Sequence, residues 1–442
     1  MVRAMSTEPP VADPSRPGPV AAGGPGRRRF LFLLGPCSPF QARLAAALEA
    51  RGHKTHKILL HAGDALFWRR PAEPYRGGLD RWQAHVAAAF DRHGITDLIV
   101  HGESREYHRL AAIEARARGI RVLVFEMGYF RPDWITLERD GLSALSHFPR
   151  EAALVRTLAA AAPEPDFMVR FRTPFLKFAL NDLAYHLSEV AGTPFYPRYR
   201  RYAIDHPVVE YLLWGWKLMR QAKPAAAARA TVERLAGGSA PWWVLPLQLS
   251  GDFQIRAHSR FADMPAAMRE VVASFAAHAP AGDRLVIKAH PLDNWRTPWA
   301  RLVAEAATAS GVGERVDYID GGDLDRLIAG ARGVVTVNST VGIAAIQAGA
   351  PTIALGGAVF DIPGLTYQFG LDRFWQEAVR PDPDLARAFV RALVHETQIR
   401  GDYYTEAGLA AAVAGTVERL DAGLPDLPER VERLKSERAR TA

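Results

Sequence analysis

The sequence predicts an α/β protein built from two doubly wound, Rossmann-like domains that face each other across a cleft, with a helical insertion between them. Two patterns and a length carry that prediction. Short apolar runs alternate with helix-favouring stretches over two separate parts of the chain, which implies parallel βαβ units. A helix-rich stretch without strand-like runs separates the two parts. At 442 residues the chain is too long for one ordinary core.

Residues 1–27, "MVRAMSTEPPVADPSRPGPVAAGGPGR", predict a disordered tail, because so few large apolar groups cannot offset the entropy of ordering. Residues 28–150 form the first domain, with strands at "FLFLL" (30–34), "KILLHAG" (57–63), "DLIVHGE" (97–103) and "RVLVFEMG" (121–128). Between the last two, "SREYHRLAAIEARARG" has the helix-favouring composition and closing glycine of an αβ crossover. Residues 151–235 are the helical segment, in which aromatic and basic residues interleave. Residues 236–380 form the second domain, with strands at "WWVLPLQL" (242–249), "RLVIKAHP" (284–291), "RVDYI" (315–319), "GVVTVN" (333–338) and "PTIALGG" (351–357). Residues 381–442 are read as C-terminal helices. No internal repeat of short period interrupts this order.

With 48% hydrophobic and 23% charged residues the chain is globular. Its formal charge of +7 and pI of about 9.6 favour anionic partners such as nucleotides and phospholipid headgroups. No nucleic-acid-binding motif accompanies the charge, so nucleic acid is not an expected partner. The single cysteine, Cys37, excludes an intrachain disulfide framework, and no Cys/His cluster has zinc-site spacing. A reducing, cytoplasmic location fits that composition. "RRRFLFLLGPC" superficially offers a twin-arginine or lipoprotein signal. Its apolar stretch is about half the usual length, it begins well inside the chain, and Pro36 before the cysteine suits cleavage poorly; a buried first strand accounts for it. No run approaches the roughly 18 apolar residues of a membrane span, so any membrane contact is expected to be peripheral.

Ligands of doubly wound sheets bind beyond the carboxyl ends of the strands. Three polar groups in the second domain occupy that position: Gln248 to Asp252, Lys288 to Pro291, and Asn338 to Thr340. If the strands are parallel, all three emerge on one rim. Asp252 follows Gly251, whose backbone freedom lets a carboxylate approach a ligand. A carboxylate at a sugar anomeric carbon serves as nucleophile, base or electrostatic stabiliser; a turn or helix cap is the alternative. Pro291 forces His290 out of helical geometry, presenting an imidazole that donates to a phosphate or anchors its own loop. Lys288 points the same way as His290 if the strand persists, or else lies exposed at an edge. Asn338, Ser339 and Thr340 suit a phosphate at a helix start and equally suit a helix cap.

In the first domain Glu103, Glu126 and Arg131 also follow strands. Tyr129, Phe130 and Trp134 fit either a sugar or acceptor platform or packing at the domain junction. Between about 168 and 223 cations and aromatics alternate, as in "FYPRYRRY". That pattern suits an anionic membrane interface or an inter-domain cluster with its arginines solvated.

Taken in order, "HGESREYHRLAAIEARARGIRVLVFEMGYFRPDW", "PLQLSGDFQIRAHS", "VIKAHPLDN" and "VVTVNSTVGIAAIQAGAPTIALGGAVFDIPGLT" resemble the capsular polysaccharide biosynthesis and export family of Gram-negative bacteria, in particular its KpsS-type retaining β-Kdo transferases. The resemblance runs from about residue 30 to 376. It implies a GT-B-like fold, a CMP-Kdo donor and transfer with retention to a lyso-phosphatidylglycerol anchor. Its Gln-x-x-x-Asp motif falls on Gln248 and Asp252, its His-Pro motif on His290 and Pro291, and its Ser-Thr element on Ser339 and Thr340. On this basis catalysis is expected from Asp252, His290 and Gln248, with donor binding by Lys288, Asn338, Ser339 and Thr340. Glu103, Glu126, Tyr129 and Arg131 would line the acceptor side. No cofactor or metal is required, since the single phosphate of CMP can be offset by side chains and a helix terminus. The implied setting is the inner face of the inner membrane, with an anionic lipid acceptor, a second capsule Kdo transferase and the export complex as partners. Two positions depart from the family pattern: Met127, where an acidic residue is common, and Trp295, where glycine is common. The rival readings are a GT-B transferase using another nucleotide sugar and a non-catalytic export subunit.

Overall fold

The computed structural model describes residues 27–201, 206–249, 253–423 and 427–441. The tail expectation therefore lies outside the described residues, apart from Arg27. The strands, in chain order, are β1 (Arg29–Phe32), β2 (Lys54–Leu59), β3 (Glu73–Pro74), β4 (Asp97–His101), β5 (Arg121–Met127), β6 (Trp134–Arg139), β7 (Trp242–Pro246), β8 (Arg284–Lys288), β9 (Val316–Ile319), β10 (Gly333–Thr336), β11 (Thr352–Ala354) and β12 (Gln398–Arg400).

They form two sheets, ordered β12-β6-β5-β4-β1-β2-β3 and β11-β10-β7-β8-β9. All pairings of β1 to β5 and of β7 to β11 are parallel. Each sheet reverses its strand order once, between β1 and β4 in the first and between β7 and β10 in the second. These are the topological switch points where doubly wound sheets open a crevice for ligands. The architecture is the expected α/β, GT-B-like pair of Rossmann-like domains.

Burial explains why the central strands read as unbroken apolar runs. Every residue of β4 and of β7 is buried, because helices cover both faces of a parallel sheet. In the first sheet Trp82, Val86 and Phe90 pack on one face, and Phe40, Leu44 and Tyr403 on the other. In the second, Met268, Phe275 and Trp375 oppose Val232, Ile319 and Ile328. The helix between residues 151 and 162 joins Phe360, Phe389 and Leu393 in a further cluster that includes Phe130 and Phe148. Helices Phe175–Ala191, Pro207–Arg220 and Ala222–Gly237 make up the rest of the insertion.

Three strands differ from the sequence reading. β3 has only two residues and β12 only three, too few to display a period. β6, "WITLER", runs antiparallel to β5 and has Thr136 and Glu138 among its buried residues, which interrupts the apolar signal. β12 lies within residues 381–442, read as helices alone. It pairs antiparallel to β6, so the chain returns to the first sheet after completing the second. Helix Glu406–Asp421 then packs on helix Phe40–Ala50, with ion pairs Arg43–Glu406 and Arg51–Asp421. No helix among the described residues is long and apolar enough to cross a membrane.

Candidate active site

Gln248 lies two residues beyond β7 and Asn338 two beyond β10, on either side of the second switch point. Their amides exchange hydrogen bonds: Gln248 Nε2 donates to Asn338 Oδ1 at 2.9 Å, and the Asn338 N–H donates to Gln248 Oε1 at 3.2 Å. The pair ties the two loops together at the mouth of the crevice. Ser339 Oγ accepts from the Val341 N–H at 3.3 Å, just before helix Val341–Gln347, whose N-cap position is Thr340. Thr340 makes no side-chain cap bond. Asp252 lies outside the described residues. The chain on either side of it does not: Gln248 precedes it, and helix Phe253–His258 follows.

Lys288 and His290 leave the neighbouring strand β8. Lys288 is 5% exposed, and among the described residues none accepts a hydrogen bond from its Nζ. Burial pushes its ammonium below the usual lysine range, against the opposing pull of Asp320. His290 Nδ1 accepts from the Leu292 N–H at 3.0 Å, which leaves the ring proton on Nε2. Burial, followed by the fields of Arg131, Lys288 and Lys217, lowers its pKa to about 4. The ring is therefore neutral at pH 7, and among the described residues none accepts from its Nε2–H. Arg131 belongs to the first sheet's loops, so its influence on His290 marks a cationic region shared by the two domains.

Lys217 completes that region from the helical insertion, a position the sequence placed only in a basic–aromatic run. Its Nζ donates to the carbonyls of Pro291 (3.4 Å) and Asp293 (2.5 Å) and lies 3.7 Å from Asp320. Trp295 borders it at 5.9 Å and adopts φ 65°, the left-handed region that favours glycine and costs other residues roughly 1–2 kcal/mol. A glycine, which the resemblance leads one to expect there, would adopt that region without the cost. Trp295 offsets the strain through an indole N–H bond to Asp320 and a backbone N–H bond to Asp293 Oδ1 at 2.9 Å.

On the first-domain side Glu103 is buried and follows β4. Its Oε1 lies 3.2 Å from His258 Nε2 and accepts from Ser104 Oγ at 3.2 Å. Among the described residues neither Glu103 Oε2 nor His258 Nδ1, both buried, has a hydrogen-bond partner. His258 closes the helix that begins at Phe253, so sequence analysis quoted it without finding its role; no spacing rule links residues 155 positions apart. Glu126 Oε1 accepts from the Met127 N–H at 2.9 Å and lies 3.6 Å from His101 Nε2. Burial acts to raise its pKa, but His101 and the Met127 N–H hold the carboxyl below the usual range. The Tyr129 hydroxyl is committed to Glu138 Oε1 at 2.7 Å, and Phe130 is buried against Phe167. Trp134 lies in β6 with the Arg400 guanidinium 4.8 Å over its ring. These three aromatics pack at the junction.

The eleven sequence-selected residues thus resolve into a switch-point pair (Gln248, Asn338), a neutral imidazole beside two cations (His290 with Lys288 and Arg131), two carboxylates facing histidines (Glu103, Glu126), two residues bonded within their own surroundings (Ser339, Tyr129), Thr340 at a helix start, and Asp252, which is outside the described set. Among the described residues no group of three or more His, Cys, Asp or Glu is placed to hold a metal ion.

The family model described as "Capsule polysaccharide biosynthesis protein" matches residues 96–404. The sequence is 31% identical over 379 residues to the Escherichia coli capsule polysaccharide export protein KpsS, covering 85% of this chain and 97% of that one. It is 30% identical over 390 residues to the capsule polysaccharide modification protein LipB of Neisseria meningitidis serogroup A, covering 85% and 92%. Among solved structures it is similar to the β-Kdo 2,7 transferase KpsC of Thermosulfurimonas dismutans, at 14% identity and a TM-score of 0.44, over 88% of this chain and 99% of that one.

Proposed function

The chain belongs to the capsule polysaccharide biosynthesis protein family, and from that premise we propose that it is a retaining glycosyltransferase that moves Kdo from CMP-Kdo to a (lyso)phosphatidylglycerol-type lipid, starting the capsular linker. The observation that carries this reading is the cationic group at the end of β8. Buried Lys288, the neutral Nε2–H of His290 and the field of Arg131 suit a monoanionic phosphodiester such as that joining CMP to Kdo.

In this reading the CMP phosphate lies against Lys288 and His290, beside the switch point braced by Gln248 and Asn338. Asp252 attacks the anomeric carbon while the bond to phosphate breaks. His290 Nε2–H and the Lys288 ammonium stabilise the charge that develops on the departing oxygen. The acceptor hydroxyl oxygen then displaces the Asp252 carboxylate from the opposite side, its proton passing to the released CMP phosphate, and two inversions give retention. The lipid would be presented at the inner face of the inner membrane, where a second capsule Kdo transferase and the export complex are the proposed partners.

The test is incubation of the pure protein with CMP-Kdo and a fluorescent lyso-phosphatidylglycerol, followed by product mass and linkage analysis. A lipid carrying one or more β-linked Kdo residues is expected. Turnover of a different nucleotide sugar alone would reassign the donor, and CMP-Kdo binding with neither hydrolysis nor transfer would make the chain a non-catalytic subunit.

A further inference from the structure

Fourteen of the nineteen exposed large hydrophobic side chains among the described residues fall between Phe167 and Met219. They are not scattered. In helix Phe175–Ala191 the exposed positions Leu176, Leu180, Ala184 and Leu187 recur at helical spacing. In helix Pro207–Arg220 Val208, Leu212, Trp216 and Met219 repeat the same spacing. Leu212 is 69% exposed and Met219 76%, values far from those of a packed core stripe. The faces turned inward carry the polar groups. Tyr211 donates to Asp182 across the two helices at 2.8 Å, buried Glu189 accepts from Arg201 at 2.7 Å, and Lys217 is buried against backbone carbonyls. Phe178 and Tyr185 also pack inward, yet both helices keep a full apolar stripe on the outside, where an ordinary surface helix is polar. An apolar patch of this kind marks an interaction surface.

Charge selects the occupant. Between residues 168 and 223 there are nine Lys and Arg against four Asp and Glu. Lys177, Arg198 and Arg220 are exposed, and the Arg220 guanidinium lies 3.7 Å over the Trp216 ring. A second copy of the chain would bring two such cationic patches together, which opposes association. We propose that the outer face of these two helices docks on an anionic lipid bilayer, its leucines and Trp216 entering the headgroup–acyl boundary and its cations meeting lipid phosphates. Arg201, bound to buried Glu189, serves the fold instead. This proposal deepens the lipid-acceptor reading but is separable from it: vesicles made anionic with phosphatidylserine in place of phosphatidylglycerol hold no proposed acceptor, so docking on them and transfer to lyso-phosphatidylglycerol can each fail alone.

The experiment is co-sedimentation with phosphatidylcholine vesicles made with and without an anionic lipid, phosphatidylglycerol or phosphatidylserine, at low and high salt. One variant carries Leu176→Gln, Leu180→Gln, Leu212→Gln and Met219→Gln; a second carries Lys177→Glu, Arg198→Glu and Arg220→Glu. All seven positions are exposed, so folding is expected to survive, and thermal melts and circular dichroism verify it. The full chain should bind the anionic vesicles about tenfold better than the neutral ones, added salt should weaken binding, and each variant should lose about tenfold. Equal binding to both vesicle types, or full binding by either folded variant, overturns the proposal. So does a dimer in solution that the glutamine variant dissociates, since the face would then be a contact between copies.

Discussion

His258 Nε2 lies 3.2 Å from Glu103 Oε1, a buried contact that joins the end of β4 in one domain to the helix following Asp252 in the other. Ser104 Oγ lies 3.4 Å from the same nitrogen, and the Gly357 N–H donates to the His258 carbonyl at 2.7 Å. His258 is therefore held from both domains. Removing either partner leaves the other buried with Ser104 Oγ alone beside it, at a cost of about 1–3 kcal/mol. Glu103→Ala and His258→Ala are each expected to lower stability by that amount, with non-additive effects in the double variant. Turnover should fall more than CMP affinity, because the contact positions the segment after Asp252. Strictly additive denaturation energies would refute the coupling.

Asp252→Asn should abolish transfer by at least about 10³-fold while CMP still binds. The carboxylate is assigned to the sugar carbon and not to the nucleotide, so titration calorimetry with CMP should give an affinity near that of the unaltered chain. Near-normal turnover in a folded Asp252→Asn protein would remove its catalytic role.

His290→Ala and Lys288→Ala should each weaken CMP binding by about tenfold, the scale of one charge-assisted hydrogen bond. Ring-nitrogen NMR at pH 7 should find His290 neutral, with the proton on Nε2, as its pKa of about 4 and the Leu292 bond require. A doubly protonated ring in the free protein at pH 7 would contradict the assignment.

The second buried histidine makes an acid-stability prediction. Burial lowers the pKa of His101 from 6.5 to about 4, so the folded state refuses a proton that the unfolded chain accepts between those values. Stability is then fully present above about pH 6.5 and declines as pH falls toward 4. The full shift is worth about 3 kcal/mol. Glu126, held below the usual carboxylate range, acts in the same direction. Urea unfolding at pH 7 and at pH 4.5 should find a smaller difference in His101→Asn than in the unaltered chain; an equal difference would show that His101 does not titrate in this range.

The two-domain fold was legible because parallel strands buried on both faces are written as apolar runs, and nine of them were located by that signal. β3 and β12 were too short to carry a period, and in β6 the buried Glu138 hid the strand. That carboxyl is raised to about 7, burial being the main cause, and it accepts hydrogen bonds from Tyr129 and Ser146. At the site, local rules placed Gln248, Lys288, His290 and Asn338 at strand ends, which is where they lie. They did not reveal which residues meet across the cleft, since the Glu103–His258 contact and the insertion of Lys217 depend on tertiary packing. Trp295 is a middle case: its departure from glycine was visible in the sequence, but the positive φ that a glycine would adopt without cost was not.

Lys217 projects from the same helix whose outer side carries Leu212, Trp216 and Met219, and it grips the carbonyls of Pro291 and Asp293 in the loop that begins with His290. A helix of 14 residues, about 21 Å long, is thus a stiff lever with one flank outward and one side chain fastened beside the nucleotide loop. The outward flank of that rod and the loop of His290 are therefore joined through a single side chain, so the proposed docking face and the proposed donor site share one mechanical element.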